Sequence, residues 1–500
     1  MSPRSPNNHP FVSMPEAPLV AGNLVAGEFD VCEGLPRVEV RSPYTGELLG
    51  SVPDTDNSGV REAVRSAAAA QLGWARQSIK QRTEPLFRFR ALLQARLTEL
   101  AHSAARECGK TVEEARAGVL KGLEVTEYAL SLQNLDAGGS LEVSPGIRCE
   151  ARREPLGVVC GITPFNFPAM VPLWMFPIAV TLGNAFILKP SEKVPLTACM
   201  LGELMVQAGY PKGVFSVVHG RAPTVDALLA HPQVRAYGFV GSSKVASAVY
   251  ARAAQAGKRV LALGGAKNTM ILLPDADPNL AVQGIVNSFT GCAGQRCMAG
   301  SVLVAVGDCE AVVDAVVEKA RGIVLGSEMG AIIEGSALAR LEEAIARGVA
   351  EGGELRLDGR KPTTPEACAG GHWLAPTVLD RVGPYTYCAR EELFGPVLSI
   401  VRVKNLEEAL AFEHESPYGN ATSVFTQSGA AARFVSERST SGMIGVNVGV
   451  PVPREPFSFG GTKTSRFGHG DITGAGGVEF WSQLKKVTTK WAEGDGGWMS

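Results

Sequence analysis

Apolar residues in the first third of the chain recur at the three- and four-residue spacing of amphipathic helices. The pattern extends from Val60 to Leu132 and is clear in the segment LFRFRALL at 86–93. Between 138 and 155 it changes to short alternating segments, which predict an extended hairpin. We therefore expect a helical amino-terminal region followed by a β-hairpin.

After Pro155, short apolar runs alternate with longer amphipathic stretches. The predicted strands are Gly157–Thr163, Ala185–Lys189, Ser216–His219, Ala236–Val240 and Arg259–Leu263. The predicted helices are Pro172–Leu182, Ala198–Ala208, Ala222–Ala230 and Lys244–Ala256. This order is typical of an α/β fold in which crossover helices connect the strands of a parallel sheet.

A second alternating set begins after Pro274. Helices are predicted at Leu280–Thr290 and Ala311–Arg321, and strands at Ser301–Val306 and near Val397–Val403. A chain of 500 residues exceeds one ordinary hydrophobic core, so two domains and a small appendage are expected.

The composition indicates which partners the protein lacks and in which cellular compartment it functions. A formal net charge of −2 argues against a nucleic acid or an anionic membrane as partner. Ten cysteines occur singly, without the spacing of a metal site or a disulfide framework, so no metal is expected and a reducing cytoplasm fits best. The uncharged run Pro155–Leu188 contains too many prolines for a membrane span. The first 18 residues lack an apolar core and are predicted to be a flexible tail.

One cysteine lies in a loop suited to nucleophilic chemistry. Cys297 follows Arg296 in the segment GQRCMA at 294–299, and Gly291 and Gly294 give the backbone freedom to present its sulfur. A cysteine attacks carbonyl groups as the thiolate, which a neighbouring cation favours. The alternative is a small buried cysteine with a packing role.

Three other polar segments follow predicted strands of the first set. Asn166, boxed in by prolines and aromatic residues, can donate its amide to an oxyanion or can hold a turn. Lys189 and Glu192, in KPSE, can bind ribose hydroxyls or can form a solvated loop. Gly241 and Ser242 begin a predicted helix, where they can bind phosphate or where Ser242 simply caps the helix.

Taken together, the segments PFNFP (164–168), KPSE (189–192), FVGS (239–242), GQRC (294–297) and EELFGP (391–396) resemble the aldehyde dehydrogenase superfamily. The resemblance extends from about residue 20 to residue 491. It implies that Cys297 is the nucleophile and that Asn166 and the Cys297 amide hold the oxyanion. The NAD-binding residues that it implies are Thr163, Phe165, Lys189, Glu192, Gly241, Ser242, Glu392 and Phe394.

The chain departs from the hydrolytic members of this family at one position. Those enzymes carry a glutamate, four residues before the lysine of ELGGK, that activates water, whereas Leu263 stands four residues before Lys267 here. Leucine cannot accept a proton, so another acceptor for the acyl group is expected. The chain resembles the CoA-acylating methylmalonate-semialdehyde dehydrogenases, which lack this glutamate and transfer the acyl group to coenzyme A.

The resemblance implies oxidation of a (methyl)malonate-semialdehyde-like aldehyde to propionyl-CoA or acetyl-CoA with loss of CO₂. The subfamily holds the substrate carboxylate with two arginines; Arg296 matches one, but Lys121 replaces the other. Lysine keeps the charge without the bidentate geometry. The alternatives are a different aldehyde, hydrolytic release of the free acid, or a non-catalytic protein on an enzyme scaffold.

The resemblance also implies a domain division. We expect an NAD-binding domain of Rossmann type at 19–137 and 156–272, and an α/β catalytic domain at 273–465. A small β flap would combine 138–155 with 483–493. Because an exposed strand readily pairs with another chain, a homodimer or homotetramer is predicted.

Overall fold

The computed structural model describes residues 18–135, 138–364 and 368–491; the predicted tail, apart from Pro18, lies outside these ranges. The helices are α1 (Asn57–Ala75), α2 (Ile79–Ala95), α3 (Leu97–Cys108), α4 (Val112–Leu135), α5 (Met170–Thr181), α6 (Leu196–Gln207), α7 (Ala222–Ala230), α8 (Ser243–Gln255), α9 (Pro278–Thr290), α10 (Glu310–Arg321), α11 (Gly335–Ala350), α12 (Tyr387–Arg390), α13 (Leu406–His414), α14 (Gly429–Arg438) and α15 (Gly474–Phe480).

The strands are β1 (Leu19–Val20), β2 (Asn23–Val25), β3 (Glu28–Asp30), β4 (Arg37–Arg41), β5 (Leu48–Pro53), β6 (Gly139–Ser144), β7 (Ile147–Pro155), β8 (Val158–Ile162), β9 (Ala185–Lys189), β10 (Phe215–Val217), β11 (Val234–Val240), β12 (Arg259–Leu263), β13 (Asn268–Leu272), β14 (Gly300–Val306), β15 (Glu354–Leu357), β16 (Thr377–Asp380), β17 (Val397–Val403), β18 (Tyr418–Gly419), β19 (Ala421–Phe425), β20 (Met443–Val446), β21 (Thr462–Lys463), β22 (Arg466–Gly468) and β23 (Ser482–Lys490).

An eight-stranded sheet forms the first α/β layer system, in the order β22-β12-β11-β8-β9-β10-β2-β3. Its five central strands, β8 to β12, are parallel, as the alternation predicted. They are buried almost throughout, which explains their continuous apolar runs. Helix α5 is likewise buried, and its uncharged sequence packs in the core as expected rather than against lipid.

A seven-stranded sheet forms the second system, in the order β15-β16-β17-β14-β13-β19-β20. The predicted division at 272 assigns β13 to the first domain, yet β13 pairs on both sides with strands of the second sheet. The chain therefore passes from one sheet to the other between Leu263 and Asn268. In the sequence, the Gly264-Gly265 pair is the only feature that separates β12 from β13, because both strands are short apolar runs.

The hairpin β6–β7 and the terminal strand β23 form a separate three-stranded sheet, in the order β23-β7-β6. β23 runs antiparallel to β7 along its full length, from the Ser482–Pro155 pair to the Lys490–Ile147 pair. The segments predicted to form a flap thus pair in one sheet, and its two outer strands, β6 and β23, are edges.

None of the helices in the described ranges has the length and apolar character needed to cross a membrane.

Candidate active site

A cavity of ≈ 1050 Å³ opens between the two sheets. The ends of β8, β9 and β11 form one wall, and the loops that precede β14 and β17 contribute the other. The structure brings every residue predicted for catalysis or cofactor binding to this cavity. These are Thr163, Phe165, Asn166, Lys189, Glu192, Gly241, Ser242, Cys297, Glu392 and Phe394.

The nucleophile loop begins where α9 ends. A single 3₁₀ turn, Gly291–Gly294, has positive φ angles at Cys292 (53°) and Ala293 (51°), followed by Gly294 (68°). A side chain at Gly294 would clash with the carbonyl of Gly395, since a Cβ atom at this position would lie 2.1 Å from that oxygen. The absence of a side chain at Gly294 thus lets the loop that carries Cys297 approach the loop that carries Glu392.

Two asparagines fix the backbone of Cys297 from behind. Asn268 Nδ2 donates to the carbonyl oxygen of Cys297 at 2.7 Å, and Asn420 Nδ2 donates to the same oxygen at 2.9 Å. Asn268 also donates to the carbonyl of Ala299 at 3.0 Å and accepts from the amide of Ala421. Sequence reasoning did not assign either asparagine, because their partners are distant in the chain.

The surroundings of Cys297 disfavour the charged form of its thiol. The side chain is half-buried, and desolvation raises its pKa to about 12, with the carboxylate of Glu392 as the second cause. The amides of Cys297 and Met298 and the guanidinium of Arg296 oppose this rise in pKa only in part. Arg296 therefore lowers the pKa of Cys297 by less than burial raises it, and the activation expected from this cation is weak.

Asn166 is buried beside the nucleophile loop. Its Nδ2 atom donates to the carbonyl of Gln295 at 2.9 Å. A primary amide has a second N–H, which remains for a ligand oxygen in the cavity. The buried ammonium of Lys110 donates to the Asn166 carbonyl and lies over the Phe167 ring, 3.7 Å from its centroid. Lys110 thus fixes the backbone beside Asn166, a contact that the sequence did not reveal.

Glu392 enters the cavity from the second sheet. Its Oε1 atom accepts a hydrogen bond from the amide of Ala266 at 2.8 Å. A Cβ atom at Gly265 would lie 2.2 Å from Oε2, so only glycine permits this approach. Burial raises the pKa of Glu392 to about 7. The carboxyl group can therefore exchange a proton near neutral pH.

The far end of the cavity suits a dinucleotide. Ser242 is the N-cap residue of α8, but its side chain makes no capping hydrogen bond, which leaves the hydroxyl for a ligand. Lys189 Nζ lies 3.3 Å from Glu192 Oε2 across KPSE. Thr163 Oγ1 is buried and has no hydrogen-bond partner within the described ranges. The hydroxyl groups of Thr163 and Ser242 and the ammonium of Lys189 suit the phosphate and ribose groups of a dinucleotide.

The two residues predicted to hold a substrate carboxylate are not among the described residues that line the cavity. The guanidinium of Arg296 donates to the carbonyls of Asn287 and Ser288 at the end of α9. Lys121 forms an ion pair with Glu455, with 2.7 Å between Nζ and Oε2. Both cations thus already have partners within the chain.

Comparison with known proteins agrees with this geometry. The pattern of the Aldehyde dehydrogenase family matches residues 32–487, and the chain belongs to this family. It is 42% identical to malonate-semialdehyde dehydrogenase 1 of Geobacillus kaustophilus over 96% of this chain and 99% of that protein. It is 40% identical to the mitochondrial acylating methylmalonate-semialdehyde dehydrogenase of Arabidopsis thaliana, over 96% and 80%.

A solved structure from Sinorhizobium meliloti, complexed with NAD, superposes with a TM-score of 0.94. It is 38% identical to this chain, and the match covers 96% of this chain and 100% of that one. The aldehyde dehydrogenase fold and the family resemblance predicted from the motifs are thereby confirmed.

Proposed function

We propose that this protein is an NAD-dependent, CoA-acylating aldehyde dehydrogenase that oxidises malonate semialdehyde or methylmalonate semialdehyde. The products would be NADH, CO₂ and acetyl-CoA or propionyl-CoA. The names of the relatives from Geobacillus kaustophilus and Arabidopsis thaliana support the substrate class. The residues of the site support coenzyme A as the acceptor of the acyl group.

The observation that carries the proposal is the absence of the usual water-activating carboxylate. Leu263 lies at the end of β12, 3% exposed, and packs in the same core cluster as Trp174, against which Cys297 also packs. Of the described residues that line the cavity, the acidic ones are Glu192, Asp226 and Glu392. Of these three, Glu392 is the one whose charge raises the pKa of Cys297. A thiol co-substrate removes the need for a base that activates water.

NAD would lie across the carboxyl ends of β8, β9 and β11. Lys189 and Glu192 would bind the adenosine ribose, Gly241 and Ser242 the pyrophosphate, and Thr163 and Phe165 the adjoining wall. Glu392 and Phe394 would contact the nicotinamide ribose and ring. When bound there, the nicotinamide supplies a hydride acceptor for the oxidation. Glu192 disfavours NADP because a carboxylate repels a 2′-phosphate.

The protein residues carry out addition and acyl transfer. The Cys297 thiol loses its proton to solvent, its sulfur forms a bond to the aldehyde carbon, and the electron pair of the carbonyl π bond moves to the oxygen. Asn166 and the Cys297 amide donate hydrogen bonds to that negative oxygen. After oxidation, Cys297 holds the acyl group as a thioester. The thiolate of CoA then bonds to the carbonyl carbon, the bond to Cys297 breaks, and the Cys297 sulfur leaves as thiolate.

A β-carboxylate on the acyl group accounts for the loss of CO₂. The bond between the carboxylate carbon and the α-carbon breaks, CO₂ leaves, and the thioester carbonyl takes up the electron pair. The α-carbon is then protonated. The acyl group that reaches CoA is thereby one carbon shorter than the aldehyde.

The test is NADH formation from malonate semialdehyde and from propanal, each with and without CoA, and with Cys297→Ala as control. Sustained turnover that needs CoA is expected, with acyl-CoA as product. Steady release of free acid without CoA would overturn the acyl-transfer assignment. No NADH from either aldehyde, with the folded protein, would overturn the substrate class.

Hydrolytic release of the free acid is the second candidate, and the position of Glu392 favours it. Its carboxyl group affects Cys297 directly, and its pKa of about 7 suits a general base. Free acid formed without CoA, and lost in Glu392→Gln while NADH formation persists in a first turnover, would support this candidate.

The flap is proposed to join two subunits. Leu141 on β6 and Leu484 on β23 are exposed, as is Trp491 just after β23, 82% exposed. Unpaired edge strands that carry apolar side chains are stabilised by pairing with another chain. A homodimer, or a homotetramer built from two such dimers, would cover this surface.

A further inference from the structure

A charged cluster beside the cavity involves Lys121 of α4. Its ammonium lies 2.7 Å from Glu455 Oε2 and 3.3 Å from Glu124 Oε2. Glu455 is only 8% exposed and Lys121 15%. The second oxygen of Glu455, Oε1, is buried and has no hydrogen-bond partner within the described ranges. Glu455 is therefore a buried carboxylate that one shared lysine compensates only in part.

Neither Lys121 nor Glu455 lines the cavity, but the segments that carry them pack against side chains that do. Three residues before Lys121, the backbone of Gly118 faces the ring of Phe167, which lines the cavity. Gly122, the residue after Lys121, faces Leu173 of α5, since a Cβ atom at Gly122 would lie 2.3 Å from Leu173 Cδ1. From the other side, Phe459, in the same loop as Glu455, contacts cavity-lining Trp174 with 4.6 Å between ring centroids.

The charges of the cluster do not favour an incoming anion. One ammonium is shared by two carboxylates, so these three groups together are negative. Arg454 approaches Glu124 at 3.8 Å, but its side chain is 82% exposed and water screens its charge. A substrate carboxylate that approached Lys121 would have to displace Glu455, which would then be a buried carboxylate without a counter-ion.

We infer that Glu455 is a specificity-determining residue, which occupies Lys121 and so weakens binding of aldehydes with a distal carboxylate relative to uncharged aldehydes of similar length. This inference rests on the proposed function, because it concerns the substrate end of the same site. Under it, malonate semialdehyde competes with an internal carboxylate, whereas propanal does not.

The experiment compares kcat/KM for malonate semialdehyde and propanal, with NAD and CoA, in the wild type and in Glu455→Gln. The amide preserves the shape of the side chain and removes its charge, and Glu124 remains to pair with Lys121. We expect kcat/KM for malonate semialdehyde to rise about tenfold, equivalent to 1.4 kcal/mol, with propanal unchanged. An unchanged ratio, or an equal change for both aldehydes, would overturn the inference.

A double substitution identifies the lysine as the route of the effect. Adding Lys121→Gln to Glu455→Gln should abolish the gain, because the cation that Glu455 releases is then absent. Glu127→Gln on the same helix is the matched control, because Glu127 pairs with Arg90 on an exposed face. This variant should leave kcat/KM unchanged for both aldehydes. A gain that persists without Lys121 would contradict the proposed mechanism.

Two further measurements keep the inference separate from the proposed function. Calorimetric titration with 3-hydroxypropanoate, a carboxylate that undergoes no acyl transfer, should show tighter binding to Glu455→Gln whether or not CoA is the acceptor. If Glu455→Gln fails to fold, Glu124→Gln should show the same trend to a smaller extent, because it removes the more exposed carboxylate. Unchanged 3-hydroxypropanoate binding in the folded variants would overturn the inference even if turnover requires CoA.

Discussion

The Nδ2 atom of Asn268 lies 2.7 Å from the carbonyl oxygen of Cys297, and this hydrogen bond joins the first strand of the second sheet to the nucleophile loop. Asn268 stands at the point where the chain has just crossed between the sheets. The position of Cys297 is therefore coupled to the point where the chain passes from one sheet to the other.

Replacing Asn268 with alanine should impair both stability and activity. The change leaves the carbonyl of Ala299 and the amide of Ala421 without this partner, at a cost on the order of 2–4 kcal/mol. Displacement of Cys297 should lower kcat on the order of 100-fold. Urea unfolding and steady-state kinetics measure the two effects, with exposed Gln283→Ala on α9 as control; wild-type kcat would contradict the role.

Replacing Glu392 with glutamine should make Cys297 more reactive in the protein without cofactor. The carboxylate helps to raise the pKa of the thiol, so its neutralisation should lower that pKa and increase the thiolate fraction at a given pH. Alkylation by iodoacetamide at pH 8 should become several-fold faster. Glu391→Gln, at the exposed neighbouring position, should have no effect, and equal rates in the two variants would refute the coupling.

Replacing Leu263 with glutamate should create turnover without CoA. The carboxyl group would lie in the core cluster against which Cys297 packs, where it could accept a proton from water. Free acid should then form continuously from an aldehyde and NAD, as followed by NADH and by titration of the product. Leu263→Gln carries the same packing defect without a base and should remain dependent on CoA. Free acid from both variants would point to a base elsewhere.

Lys267 should make stability depend on pH in the alkaline range. Its ammonium is buried without a hydrogen-bond partner among the described residues, and burial lowers its pKa from 10.5 to about 8. The unfolded chain therefore binds the proton more tightly, so this group makes the free energy of unfolding rise between about pH 8 and 10.5.

The corresponding variant is Lys267→Met. It should stabilise the protein at pH 7 by on the order of 3 kcal/mol, and this gain should disappear by pH 10.5. Urea unfolding at the two pH values measures it. A gain of equal size at both would mean that packing, not the charge, accounts for the difference.

The edge strands of the flap should control assembly. Aspartate at both Leu141 and Leu484 introduces charge on β6 and β23, where another chain would pair. We expect wild-type protein to be a dimer or tetramer in light scattering, and the double variant to be a monomer with an unchanged melting profile of the two α/β systems. A monomeric wild-type protein would exclude this role for the flap.

Sequence periodicity predicted the bounds of those helices and strands whose residue pattern within the segment itself reflects burial. Ala185–Lys189, Ala222–Ala230 and Arg259–Leu263 have the predicted bounds, because continuous apolar runs and 3.6-residue spacing report burial directly. β13 was missed, since a strand that follows another across a Gly-Gly turn has no amphipathic helix to separate them.

The short motifs alone identified the family, the candidate nucleophile Cys297 and the leucine at position 263, because the residue types that this chemistry needs are contiguous in the chain. The partners of those residues became evident only in the folded protein. Asn268 behind Cys297, Lys110 beneath Asn166 and Glu455 on Lys121 are each contacts between distant segments. No sequence motif indicates these contacts, because they form only when the two sheets and their connecting helices pack together.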